Sequence, residues 1–169
     1  MKIIDYNDII NYFDNNIWDF SYLTSEEINE ILNFPIKFNI NEITNLVNGA
    51  YEIPKESIIL IVVKYSKDYD YSIDKDFDTI CKLNLPELKY EQLYCNLKYA
   101  AVKSGLGQYG KNMVFHHPKF NFDVHLAAFI LKNPIINLPI RNSINLNFLK
   151  ECDNCNDCYN ACPAHAIHN

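Results

Sequence analysis

The run Ser57-Ile-Ile-Leu-Ile-Val-Val-Lys-Tyr65 is short, β-branched and unbroken, and the chain enters it from Pro54. Such a run reads as a strand. Apolar side chains occupy odd and even positions alike, so neither face tolerates water. The strand is therefore expected centrally in a sheet that is covered on both sides. Helical signals surround it, which predicts an α/β (α+β) fold.

Asp5-Tyr-Asn-Asp8 followed by Ile9, Ile10 and Phe13 supplies an N-cap and helical apolar spacing, hence a short helix. Thr24-Ser-Glu-Glu27 has the form of a capping box, with Ile28, Ile31 and Leu32 on one face, so a second helix should run to about Asn33 before Pro35. Phe38 to Val47 reads as helix, and the acidic, tyrosine-rich Lys67 to Asp78 as a surface loop. Pro86 to Ser104, with Leu93, Leu97, Ala100 and Ala101 as a stripe and Gly105 to end it, predicts the longest helix. Met113 to His116 and Val124 to Leu131 predict two strands, joined by a polar turn around Pro118 to Asn121 into an antiparallel hairpin. Pro134 and Pro139 mark an extended linker, and Ile144 to Leu149 leads into the C-terminal motif.

The chain has 169 residues, 49% of them hydrophobic, enough for one core plus a small appendage. A formal charge of −6 argues against non-specific nucleic-acid binding, which needs clustered Lys and Arg. The richest apolar run, Ile58 to Val63, is far too short to span a membrane, and Met1-Lys-Ile-Ile-Asp5 does not read as a signal peptide. The expected location is the cytoplasm, where thiols stay reduced and cysteines serve as metal ligands or small core residues.

That matters for Cys152-Asp-Asn-Cys155-Asn-Asp-Cys158-Tyr-Asn-Ala-Cys162-Pro163. The spacing C-x2-C-x2-C-x3-C-P is the bacterial ferredoxin pattern for [4Fe-4S] clusters. It lets one tight loop turn three soft thiolates onto three irons, and the proline stops the chain from continuing as a helix. A structural zinc site would ask for a second cysteine or histidine knuckle, and none is visible. In two-cluster ferredoxins the fourth cysteine ligates the other cluster. Cys152, Cys155 and Cys158 are thus ligands of one cluster, and the fourth ligand is left open between Cys162, Cys81, Cys95 and a sulfur on a second chain.

Three of the four glycines fall in Gly105-Leu-Gly107-Gln-Tyr-Gly110, a match to G-x-G-x-x-G. A dinucleotide fingerprint needs a strand before it and a helix after it. Here the order is inverted, so the string reads instead as a tight loop whose backbone approaches something closely. His116 and His117 stand at a strand end, able to ligate a metal or bond a cofactor, with ordinary half-exposed histidines as the plainer reading. His165 and His168 flank the cysteine loop, where a hydrogen bond to sulfur would tune a cluster.

Lys103-Ser-Gly-Leu-Gly-Gln-Tyr-Gly-Lys-Asn112, the hairpin, the linker and Cys-x2-Cys-x2-Cys-x3-Cys-Pro-Ala-x-Ala-Ile167 together resemble the core of the epoxyqueuosine reductase family and its reductive dehalogenase relatives. The strand after Pro54 is also similar to an early strand of that family. The resemblance implies a nitroreductase-like α/β domain that binds cobalamin, over residues 1–140, and a ferredoxin-like iron–sulfur segment over residues 141–169. Gly105, Leu106, Gly107, Tyr109, Gly110, Lys111 and Asn112 would then contact the corrinoid, with His116 and Val124 to Leu131 nearby. Counting back without gaps, the family's acidic proton donor falls on Glu91, whose plainer reading is a solvated helical glutamate. The implied function is an iron–sulfur oxidoreductase that passes electrons from the cluster to the corrinoid. Its partners would be a reductant or electron-donor protein, with no membrane and with tRNA disfavoured by the acidic charge. The alternative is a ferredoxin-like electron carrier or iron–sulfur module without corrinoid.

Overall fold

The computed structural model describes residues 2–32, 53–67, 73–141, 147–164 and 166. The segment read as helix between Phe38 and Val47 lies outside them, as do His165 and His168. Strand β3 (Ile58–Tyr65) forms as the β-branched run predicts, with β2 (Trp18–Thr24) antiparallel on one side and β7 (Val124–Leu131) antiparallel on the other. The short β4 (Tyr90–Gln92) closes a four-stranded sheet of order β2-β3-β7-β4. Alternate residues of the two inner strands feed two cores. Leu60, Val62, Ala127, Phe129 and Leu131 face one, and Ile59, Ile61, Val63, Ala128 and Ile130 the other. The unbroken apolar pattern is the consequence of that double cover.

On the first face pack α1 (Tyr6–Ile10) and α3 (Ile73–Asn84), with Phe77 stacked on Phe129 at 4.1 Å between ring centroids. The side chain of Asp5 caps α1 by accepting from the Asn7 amide at 2.8 Å. On the second face pack α2 (Ser25–Leu32) and α4 (Leu97–Lys103). The predicted capping box of α2 is present: Thr24 N–H donates to Glu27 at 2.9 Å and Glu27 N–H to the Thr24 hydroxyl at 3.3 Å.

Three expectations are corrected. Residues from Ile73 onward are helix α3, not surface loop. Ile73, Phe77 and Cys81 recur at helical spacing and are buried, but Asp74, Lys75, Asp76 and Asp78 outnumber them in the sequence and hide the stripe. Pro86 to Ser104 is not one helix. Tyr90–Gln92 supplies the edge that β7 requires, Leu93 N–H extends the pairing to the Ala128 carbonyl at 2.8 Å, and only after Asn96 caps Tyr99 N–H does α4 begin. An asparagine that competes with the helix interior is a natural N-cap, and here it wins.

The predicted hairpin is the third. Both strands exist, but β7 pairs with β3 along its whole length, whereas β6 (Phe115–His116) pairs with β5 (Gln108–Tyr109) in a separate two-stranded ribbon. The polar turn survives as a bridge between His117 and Asn121. Within the linker, β8 (Ile135–Ile136) adds in parallel to β1 (Ile4–Asp5).

Candidate functional site: a cysteine-lined hollow

Helix α4 ends as its sequence predicts. Leu106 N–H reaches the Ala101 carbonyl and Gly105 N–H that of Val102, both at 3.0 Å, a Schellman pair that needs Gly105 at φ +86°. Leu106 turns into the core. A Cβ on Gly107 would fall 2.3 Å from the His116 carbonyl oxygen, so β5 approaches β6 only because that residue is glycine. Half-buried Tyr109 packs on the second core, and burial raises its phenol above the usual range.

Beyond β5 the chain turns sharply. Gly110 N–H bonds the Val114 carbonyl and Met113 N–H the Gly110 carbonyl, both at 2.9 Å, with Met113 in the left-handed region at φ +61°. The turn fixes the side chain of Asn112, whose Oδ1 accepts from Val114 N–H at 3.1 Å.

Against this loop lies the cysteine segment. Leu149 N–H donates to the Tyr109 carbonyl at 2.9 Å and the Gln108 side chain to the Asn147 carbonyl at 3.3 Å. A 3-10 turn (Lys150–Cys152) and helix α5 (Asp157–Ala161) then wrap back, and the chain leaves the helix at Cys162, in extended conformation before Pro163. The stop before proline is as expected. Asn112 Nδ2 donates to Cys158 Sγ at 3.2 Å, and a Cβ on Gly110 would stand 3.7 Å from Cys152 Sγ.

The result is a hollow of about 150 Å³, lined by Gly110, Lys111 and Asn112 on one side and Cys152, Cys155 and Cys158 on the other. Val114, Phe115, His116, Phe122, Leu149 and Tyr159 complete the wall. Of the seven loop residues predicted from the family resemblance, three line the hollow. Gly105, Leu106, Gly107 and Tyr109 instead end the helix, fill the core and pair the ribbon that carries the other three. Val124–Leu131 lies in the main sheet and does not line it. Glu91 sits on β4 with half its side chain exposed (51%) and its carboxylate 2.8 Å from Lys132 Nζ, also away from the hollow. It is not on a helix, because that stretch is strand.

The remaining thiols are elsewhere. Cys81 is buried in the first core and Cys95 packs against the second, and burial pushes both thiols up to about 12. Cys162 accepts from Ala166 N–H at 3.4 Å and is not among the described residues that line the hollow. His117 is 1% exposed, its Nε2 3.0 Å from Asp19 Oδ2 and its Nδ1 accepting from Lys119 and Phe120 N–H at 3.2 Å. It is a satisfied core histidine rather than a half-exposed one. Sequence reasoning missed Phe122 and Tyr159. A second phenylalanine in the turn Lys119-Phe-Asn-Phe-Asp123 is the sequence signal that could have found the first; its 67% exposure is seen only in the structure.

Among the described residues no three His, Cys, Asp or Glu side chains converge as a single ion would require. A cubane makes a weaker demand, since each thiolate meets a different iron. The three thiols that line the hollow are soft and come from one short segment, which fits three of the four ligand positions of such a group.

No protein-family model matches the sequence, and no curated protein matches it. Among solved structures, the chain superposes on epoxyqueuosine reductase crystallised with an epoxyqueuosine-modified tRNA-Tyr stem loop. The TM-score is 0.60 and the identity 16%, over 95% of this chain and 52% of that one. The two share a fold. The chain spans about half the length of that protein. Among the described residues, no helix is long and apolar enough to cross a membrane.

Proposed function

We propose that the chain is an iron–sulfur oxidoreductase of the epoxyqueuosine reductase kind, with a nitroreductase-like domain and a ferredoxin-type segment. In this reading Cys152, Cys155 and Cys158 hold a [4Fe-4S] cluster, and the Gly110–Asn112 turn faces a corrinoid. The single observation that carries it is that the glycine turn and the three cysteines, about forty residues apart in the sequence, line one hollow. When bound, the cluster supplies one-electron transfer at low potential and the corrinoid the reducing centre. The chain's own residues hold, orient and shield these groups. A volume of about 150 Å³ does not enclose a corrinoid, so that cofactor would lie across the mouth, against Lys111, Val114 and Phe122. The fourth cluster ligand is Cys162 after a local rearrangement, or a sulfur of a second chain. A cytoplasmic location and a reductant or electron-donor protein as partner belong to the same reading. A tRNA substrate does not, given the charge of −6.

The small hollow favours a second reading, a ferredoxin-like carrier that holds the cluster without corrinoid. Anaerobic reconstitution with iron, sulfide and hydroxocobalamin, followed by gel filtration and EPR of the protein peak, separates the two. Co-eluting cob(II)alamin with about four irons per chain supports the reductase. Iron without cobalt supports the carrier. Unchanged iron content after combined Cys152→Ser, Cys155→Ser and Cys158→Ser overturns both.

A further inference from the structure

We infer that Asn112 sets the reduction potential of the cluster by donating its side-chain N–H to the Cys158 thiolate. The inference rests on the iron–sulfur reading above and assigns a role within that site. The donor lies 3.2 Å from Cys158 Sγ, within hydrogen-bond reach for sulfur. Which end of the amide faces the sulfur is decided by its neighbours. Oδ1 accepts from Val114 N–H at 3.1 Å, which leaves the NH2 group for Cys158. A flipped amide would set an oxygen against a thiolate and a donor against a donor, losing both bonds.

The loop is built to hold that pose. Two backbone bonds of 2.9 Å between Gly110, Met113 and Val114 close the turn, and Met113 takes a left-handed conformation to allow it. Gly110 is glycine for room: a Cβ there would stand 2.8 Å from Asn112 Oδ1, displacing the amide. This side-chain hydrogen bond joins the glycine turn directly to a cysteine of the hollow.

Reduction places more electron density on the cluster and its thiolates. A donor aimed at one of them strengthens as that charge grows, so it stabilises the reduced form more than the oxidised one. Removing the donor therefore makes the cluster harder to reduce. In Asn112→Leu, which has a similar bulk and no donor, the reduced-to-oxidised ratio at the wild-type midpoint should fall roughly three- to tenfold. Asn112→Asp keeps the acceptor for Val114 N–H but replaces the donor by a negative charge, and its ratio should fall further.

The experiment is anaerobic voltammetry or an EPR-monitored redox titration of the reconstituted full chain and the two variants, with iron counted in each. Midpoints displaced to more negative potential in the order Leu then Asp, at unchanged iron, support the assignment. An unchanged midpoint in Asn112→Leu with iron intact overturns it. So does loss of iron from both variants, which would make Asn112 a support of the loop. If reduced wild-type protein shows no [4Fe-4S] signal, the iron–sulfur reading itself has failed, and that is visible before any variant is compared.

Discussion

Gly105 and Gly107 stand two residues apart and are glycine for different reasons, which makes them a test of the loop at the scale of single residues. Gly105 needs its φ of +86°, but a Cβ there meets nothing within 4 Å. Gly107 has no positive φ, but its Cβ would strike the His116 carbonyl at 2.3 Å and the Phe115 ring at 2.7 Å. The backbone cost at Gly105→Ala is about 1–2 kcal/mol, the usual penalty for a left-handed L-residue. Gly107→Ala is expected to cost more, about 2–3 kcal/mol, because backbone and a buried ring must both give way. Urea unfolding of the two variants checks the order. Gly107→Ala should also separate β5 from β6, lowering iron uptake on reconstitution, whereas Gly105→Ala should leave uptake near that of the parent.

Helix α2 shows how a short element is held by partners distant in sequence. Its capping-box glutamate, Glu27, also receives both Arg141 bonds, at 2.7 and 2.9 Å, and Arg141 covers the Tyr22 ring at 4.8 Å. Burial raises the Glu27 pKa, but the Arg141 and Thr24 hydrogen bonds outweigh it, and the carboxyl lies below its ordinary 4.5. A carboxyl lowered in the folded state adds stability that is complete above its unfolded pKa and is lost as pH falls through the folded one. Glu27→Gln should therefore be less stable than the parent by about 1 kcal/mol at pH 7, with the gap closing below pH 4.5. Thermal melts from pH 3 to 7 read both the gap and its closure.

For the whole molecule the contrast is between a sheet buried on both faces and a cysteine segment whose described residues are at most half-buried. No residue of the described stretch 147–164 is buried, and hydrogen bonds with Tyr109, Gln108 and Asn112 tie it to the domain. A cluster would supply the missing cross-link, since ligation energy is also folding energy. Hydrogen exchange is accordingly expected to slow over residues 147–164 when the cluster is assembled and to stay unchanged in β3 and β7. Equal exchange of that segment with and without iron would show that the cluster does not staple it. Much of this was legible in the sequence. The β-branched run named the central strand, the capping box and Gly105 named helix ends, and the cysteine spacing and the glycine string each marked a candidate segment, because each signal is local and carries its own chemistry; that Gly110–Asn112 and three cysteines line one hollow came only from the structure. Other features were decided only in three dimensions. Tyr90–Gln92 is strand because β7 needed an edge partner, β6 pairs with β5 because β7 was taken by β3, and four of the seven loop residues serve the fold because only the turn beyond Tyr109 reaches the cysteines. Local chemistry is written in neighbouring residues, but which backbone fills a free sheet edge, and which loop residue meets a distant thiol, depends on segments far apart in the sequence that meet only in the folded chain.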